Sequence, residues 1–243
     1  MRFQALAFHA EKLYDDQVWK KVKQVAAWMS HRGIESTFFV YPFRAQVVKI
    51  DISERVRALA ALGHEIGQHT HFYAGTKIDG HGKVDDFSET NIEHCLRRDF
   101  ETLCQIGVPP KGFTAGAWVI NDTVLGALVK LDFTYDCSAH FPKPTGTPDS
   151  PNRRWLRTSQ LYTTPAGTLL CLPTVCSLGE WFKWGWRVKI DEPVPYQLVY
   201  LHDYDLQSPR NYLPLWAFLI ITGRNHFLSG NVLAQQFLNK AET

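Results

Sequence analysis

Gly63-His64-Glu65-Ile66-Gly67-Gln68-His69-Thr70-His71 turns a helix into a strand and finishes that strand on two imidazoles. Gly63 closes a helix carrying Val56, Leu59 and Leu62 on one stripe, and Asp51 with Glu54 three positions later reads as its capping box. His64 to His71 is then a strand. Side chains two apart on an extended segment point the same way, so His69 and His71 can enter one space together.

Working outward, the same alternation recurs. Upstream, Phe3–Phe8 and Glu35–Tyr41 read as strands on either side of a helix that Asp15-Asp16 opens and Gly33 closes, with Val18, Val22, Val25, Ala26 and Met29 at helical spacing. Downstream, a polar loop from Tyr73 to Phe87 leads to a helix capped by Ser88 and ended by Gly107-Val108-Pro109-Pro110. Further strands are predicted at Gly112–Ala115, Phe133–Cys137, Leu169–Pro173 and Gln197–Leu201, with a helix over Asn121–Lys130. The segment from His140 to Trp155 reads as a surface excursion. The aromatic run Trp181-Phe182-Lys183-Trp184-Gly185-Trp186 interrupts the alternation, and Tyr212–Ile221 and Val232–Lys240 read as closing helices. Seven strands with mostly helical crossovers indicate an α/β fold, a closed barrel or an open sheet. A full eight-unit barrel takes about 250 residues, so a chain of 243 residues favours seven strands in a barrel, one of them irregular. The whole of residues 1–243 is read as one domain.

Composition narrows the function. At 45% hydrophobic and 21% charged, the chain can bury a large core. Lys plus Arg exceed Asp plus Glu by 26 to 24, which gives no general electrostatic reason to expect nucleic acid as a partner. No apolar run reaches the roughly 20 residues of a membrane span. The N-terminal strand breaks at His9, too early for a signal-peptide core, so a cytoplasmic protein is expected. Five cysteines without metal-knuckle spacing read as reduced or buried thiols. Nothing in the sequence sets an oligomeric state.

The polar groups collect at strand ends. His9 and Glu11 follow the first strand, His69 and His71 end the third, Asp136 ends the fifth, and His202 with Asp203 ends the last. In parallel α/β barrels those ends surround the active site. A lone His9 is more often a satisfied buried histidine, and a lone Glu11 is most often solvated. Four strand ends presenting imidazoles and carboxylates on one rim favour a metal-assisted site over these separate readings. His31, His64, His94 and His226 fall in structural contexts. His81 and His140 lie in loops from which either could reach the site.

Gly63-His64-Glu65-Ile66-Gly67-Gln68-His69-Thr70-His71 resembles the second motif of the polysaccharide deacetylases, the NodB-homology or carbohydrate esterase family 4 group. Gly112-Phe113-Thr114-Ala115-Gly116-Ala117-Trp118 resembles their third motif, Tyr135-Asp136-Cys137-Ser138 the fourth, and Tyr200-Leu201-His202-Asp203-Tyr204-Asp205 the last, in matching order over most of the chain. The resemblance implies a distorted (β/α)7 TIM-like barrel. It also implies a metal-dependent hydrolase that removes an N-acetyl group from an amino sugar, as a small molecule or a lipid- or nucleotide-linked precursor.

Three positions depart from the pattern. Phe8-His9-Ala10-Glu11 stands where two aspartates are usual, placing His9 in the base slot and Glu11 in the ligand slot. Position 73 is Tyr where a second His is usual, and Thr114 replaces an Arg. On this reading Glu11, His69 and His71 hold a divalent ion, zinc first among the candidates. His9 serves as base, and His202 protonates the leaving amine with Asp136 or Asp203 orienting it. A backbone N–H near Ala117-Trp118 faces the oxyanion. Trp118, Trp181, Trp184 and Trp186 offer faces to a sugar or pack in the core, and Tyr73 and Asp203 border the substrate. The departures leave two alternatives: a hydrolase of a non-sugar amide on the same fold, and a carbohydrate-binding barrel without catalysis.

Overall fold

Gly63, His64 and Glu65 each have a structural task. The structure, a computed structural model, describes residues 3–74, 85–143, 152–188, 190, 194–223 and 226–241. Gly63 adopts φ +86°, the left-handed conformation that ends a helix most cheaply on glycine. His64 is buried, with Nδ1 3.1 Å from the Ser36 hydroxyl and Nε2 3.0 Å from the Ala26 carbonyl, which fixes it as structural. Glu65 accepts from the Tyr135 hydroxyl at 2.7 Å, the Thr37 hydroxyl at 2.9 Å and the Asn231 N–H at 2.8 Å. That last bond sets a carboxylate at the start of the C-terminal helix, where backbone N–H groups favour negative charge.

Among the described residues the elements run β1 (Phe3–Ala10), α1 (Asp16–His31), β2 (Thr37–Val40), α2 (Pro42–Val47), α3 (Ser53–Ala61), β3 (Glu65–Thr70), α4 (Glu89–Ile106), β4 (Gly112–Ala115), α5 (Asp122–Lys130) and β5 (Tyr135–Asp136). They continue with β6 (Gln160–Thr164), β7 (Gly167–Cys171), β8 (Cys176–Ser177), α6 (Leu178–Trp181), β9 (Tyr196–His202), α7 (Pro209–Thr222), β10 (His226–Phe227) and α8 (Gly230–Ala241). The sheet order is β6-β7-β5-β4-β3-β2-β1-β9-β8, with β10 beside the start of β1.

β7 and β8 are two halves of one stretch. Its first half pairs with β5 and its second with β9, both in parallel, and the Leu172, Thr174 and Val175 N–H groups bond to Asp136, Ala139 and Leu198 between them. The sheet therefore curls back on itself, and the parallel staves are β1, β2, β3, β4, β5, β7–β8 and β9. This is the distorted (β/α)7 barrel that the alternation and the motifs imply. β1 is buried from Gln4 to Ala10, as a stave covered inside by the barrel and outside by helices must be.

Two local expectations fail. The capping box at Asp51 and Glu54 does not form: the N-cap of α3 is Ile52, and the Asp51 carboxylate accepts from the Ser53 N–H at 2.8 Å. The connection after β2 also holds an additional helix, α2, which starts on Pro42 and is too short to show a period. β6 pairs antiparallel with β7 and is mostly exposed, so it lacks the apolar signal of the staves. The helices capped by Asp15, Ser88 and Asn121 start where the sequence places them. All five cysteines are free thiols.

Candidate metal centre at the barrel mouth

The register of the sheet brings the polar strand ends together. His9 lies opposite His202 across the β1–β9 ladder, and His69 lies opposite Thr114 across β3–β4. Glu11 and His71, each one residue beyond its strand, reach the same space. Glu11 Oε1 is 3.4 Å from His69 Nε2, 3.5 Å from His71 Nε2 and 3.7 Å from His202 Nε2, while the two Nε2 atoms of His69 and His71 are 3.2 Å apart.

The protons on these rings can be assigned from their partners. His69 Nδ1 is 2.9 Å from the Thr114 carbonyl oxygen, which only accepts, so Nδ1 carries the hydrogen. That bond points Nε2 at His71 and Glu11, where as the Nδ1–H tautomer it offers a lone pair. His71 Nδ1 meets the Tyr73 hydroxyl at 2.8 Å with the rings stacked, leaving its Nε2 on the same focus. Two ring nitrogens and a carboxylate oxygen facing one another is a donor set that a cation stabilises. Ligands about 2.0–2.1 Å from a tetrahedral zinc lie about 3.3–3.4 Å apart, close to the three separations observed. Glu11, His69 and His71 thus fit a divalent ion in both chemistry and spacing.

A second layer holds the three in place. Arg44 Nη1, on α2, is 3.1 Å from Glu11 Oε2, so the carboxylate gives one oxygen to a guanidinium and turns the other to the imidazoles. Burial opposes the charge on Glu11, but hydrogen bonds and the fields of His69 and His71 outweigh it and hold the carboxyl well below the usual carboxylate range. Gly116 lets His71 lie against the backbone: a Cβ there would sit 2.2 Å from His71 Nδ1. The Asp203 carboxylate accepts from the Lys12 N–H at 2.7 Å and from the Tyr204 N–H at 2.8 Å, bracing the chain directly after Glu11.

Beside this centre is an aromatic wall. The His9 ring is 4.9 Å from that of His69, 5.2 Å from His202, and 5.0 Å from both Trp118 and Tyr200. Burial first, then the neighbouring His69 and His202, push its pKa well below the ordinary histidine range. Trp118 also packs on His140 at 4.0 Å, and His140 stacks on Trp155 at 5.4 Å. Ala117 and Trp118 both have positive φ, 53° and 60°, in the region that side chains with a Cβ avoid at a cost of roughly 1–2 kcal/mol each. The turn spends that strain on setting Trp118 over His9.

Three-dimensional comparison gives this arrangement a context. Neither a protein-family model nor a curated protein matches the sequence. A Mycobacterium smegmatis protein assigned to the polysaccharide deacetylases superposes with a TM-score of 0.66 at 17% identity, covering 98% of this chain and 91% of its own. The fold is that of the polysaccharide deacetylases. An allantoinase aligns with a TM-score of 0.64 at 12% identity over 97% of this chain and 89% of its own. A carbohydrate esterase family 4 pseudoenzyme from Bacillus anthracis gives 0.56 at 9% identity over 96% of this chain and 65% of its own.

On this polysaccharide-deacetylase fold, several side chains expected at the site have other partners than the sequence suggests. Asp136 does not orient His202. Its carboxylate accepts from the Ser138 hydroxyl at 2.5 Å and from the Ser138 N–H at 3.1 Å, and Ser138 Oγ in turn accepts from the Ala115 N–H at 2.8 Å, so Asp136 supports the end of β4. Asp203 does not orient it either, being committed to the backbone bonds above. The carboxylate facing His202 Nδ1 is Asp205, at 3.6 Å, which also accepts from the His202 N–H at 3.0 Å. Against burial, the His202 bond holds Asp205 below its ordinary range.

Trp181 is not a platform for sugar: it is 7% exposed, with its indole N–H donating to Gln197 at 3.0 Å. Trp184 packs partly buried against the core, and Trp186 is half exposed under the Arg187 guanidinium. Of the histidines left open, His140 reaches the aromatic wall and His81 lies outside the described residues. His31, His94 and His226 are exposed away from the mouth. The sequence reading missed Arg44, Asp205 and Tyr200. Tyr200 had a detectable signal: it lies two residues before His202 on the same strand and so shares its face.

Proposed function

We propose that this chain is a metal-dependent amide hydrolase that removes an N-acetyl group from an amino sugar or a nucleotide- or lipid-linked sugar precursor. The observation that carries the proposal is the convergence of Glu11 Oε1, His69 Nε2 and His71 Nε2 at mutual distances of 3.2–3.5 Å. These three residues would hold the ion, with zinc the first candidate. When bound, such an ion polarises a carbonyl and brings the pKa of bound water to about 7.

The protein's own groups supply the rest. His9, with its pKa depressed by burial, is neutral at physiological pH and able to accept a proton from the attacking water. His202, half-buried on the other side of Glu11 and backed by Asp205, is placed to protonate a departing amine. The Gly116–Trp118 turn faces the acyl oxygen, and Trp118 gives the sugar ring a flat apolar surface. Tyr73 borders the substrate while fixing His71, and Asp203 keeps the Glu11 segment in register.

The test is acetate release by zinc-loaded protein from N-acetylglucosamine, its nucleoside-diphosphate conjugate and a lipid-linked form, with His69→Ala and His202→Asn alongside. Turnover on one of these, lost in both variants with metal lost only in His69→Ala, is the expected result. Stoichiometric zinc with no turnover on any sugar would remove the sugar assignment. The likeness to an allantoinase supports a second reading, hydrolysis of a non-sugar amide at the same centre, so allantoin and linear amides belong in the same panel. Sugar affinity without turnover under saturating zinc would match the pseudoenzyme relative instead.

A further inference from the structure

A second surface, apart from the mouth, combines apolar exposure with positive charge. Long side chains of α1 and α7 meet across a groove: the Trp28 and Trp216 rings are 4.5 Å apart and perpendicular, and the Lys21 ammonium lies 4.7 Å over the Tyr212 ring. Between the helices is a cavity of about 620 Å³ lined by Trp28, Arg32, Ile34, Trp216, Leu219 and Ile220, with Gly223 at its end. The Arg32 guanidinium sits 4.0 Å over the Trp28 ring at the edge of this groove.

The outer face of α7 is aliphatic. Leu213, Ile220 and Ile221 are 64%, 71% and 62% exposed. Ile220 and Ile221 lie seven and eight residues after Leu213, two turns on, so the three form one stripe along the helix. Scattered exposed aliphatics need no explanation, but a stripe joined to an apolar groove does. The charge around it is mostly positive. Lys21 lies over Tyr212, Arg32 over Trp28, and Arg210 is in the first turn of α7, whereas Lys23 is on the α1–α3 side with Asp51 and Glu54; the carboxylate next to the groove is Glu35, which follows Ile34. Three cations against Glu35 are a local excess of positive charge in a chain that carries only +2 as a whole.

We propose that the α1–α7 face docks on an anionic lipid surface. The aliphatic residues of α7 would enter the acyl boundary, the Trp28–Trp216 pair and Tyr212 would lie at the headgroup level, and Lys21, Arg32 and Arg210 would meet the phosphates. Neither helix has this character alone: α7 supplies the aliphatic residues and α1 most of the basic ones, and together they make a face that would lie on the membrane surface and not cross it. No helix among the described residues is long and apolar enough to span a bilayer. The charge also argues against a second copy of this chain as the occupant: a two-fold contact through this face would set the basic groove edge against itself. The inference stands independently of the hydrolase reading.

The experiment is co-sedimentation of the full chain with vesicles of phosphatidylcholine alone and of phosphatidylcholine with one-quarter phosphatidylglycerol, at low and high salt. Binding to the anionic vesicles only, weakened by salt, is expected. Both Ile220→Ser/Ile221→Ser and Lys21→Glu/Arg32→Glu should lower the partition coefficient about tenfold or more. Ile220 and Ile221 are exposed enough for the first variant to fold, and the salt series on the unmodified chain gives a readout that needs no variant. Absence of binding to anionic vesicles, or equal binding by both variants, overturns the proposal. So does a dimer in solution that the serine variant converts to monomer, since the face would then belong to a second copy.

Discussion

Replacing Gly116 by alanine tests the centre through packing alone, without replacing any proposed ligand. The added Cβ would lie 2.2 Å from His71 Nδ1 and 2.3 Å from Cγ, where ordinary contact begins near 3.4 Å. The His71 ring must therefore retreat by roughly 1 Å, whereas a functional metal site tolerates about 0.2 Å in its ligand distances. His71 would leave the donor set, and its bond to Tyr73 would be broken or redirected. Zinc affinity should fall by about 100-fold or more, equivalent to about 2.7 kcal/mol, at the upper end of what displaced supporting contacts cost.

Global stability should also fall, by about 1–3 kcal/mol for the overpacked turn, the cost being the contact itself because Gly116 does not need a positive φ. The assay is competition for zinc against a chromophoric chelator, with His71→Ala as the reference and thermal unfolding as the control. A Gly116→Ala protein that folds and binds zinc as tightly as the unmodified chain would refute the reasoning.

Arg44→Met should weaken zinc binding by about tenfold, because Glu11 Oε2 loses its cation and the carboxylate is free to rotate; Arg44→Lys should recover part of the loss in the same titration. Burial raises the pKa of Asp136 to about 7, so the folded state binds its proton more tightly than the unfolded state, whose carboxyl titrates near 3.9. The sign follows: stability is greatest below the unfolded value and is lost as pH rises towards 7, by up to about 4 kcal/mol for a shift of this size. Asp136→Asn should flatten that slope in urea melts between pH 4 and 7, and an unchanged slope would show that Asp136 is not its source.

The alternation of strands and helices was legible because each stave is a buried apolar run bounded by glycine, proline or a capping residue. Glu11, His69 and His71 were legible as well, since two-residue spacing at a strand end fixes which side chains share a face. What could not be read is the direction of groups placed by short irregular segments. Arg44 sits on a six-residue helix that starts on proline and shows no period. Asp203 and Asp205 lie in one 3₁₀ segment, and its turn sends the first to the Lys12 N–H and the second to His202. Asp136 ends a strand at the right level, but Ser138, two residues on, captures it. His140 reaches the wall through isolated pairings with Trp155 and Thr174, contacts that no local pattern encodes.

The most direct measurement is diffraction from zinc-soaked crystals with anomalous data at the zinc edge. One fully occupied ion in contact with Glu11 Oε1, His69 Nε2 and His71 Nε2, each about 2.0–2.2 Å away, is the predicted result. No ion at this mouth under saturating zinc, or an ion bound through other residues, would contradict the assignment of these three side chains as a metal centre.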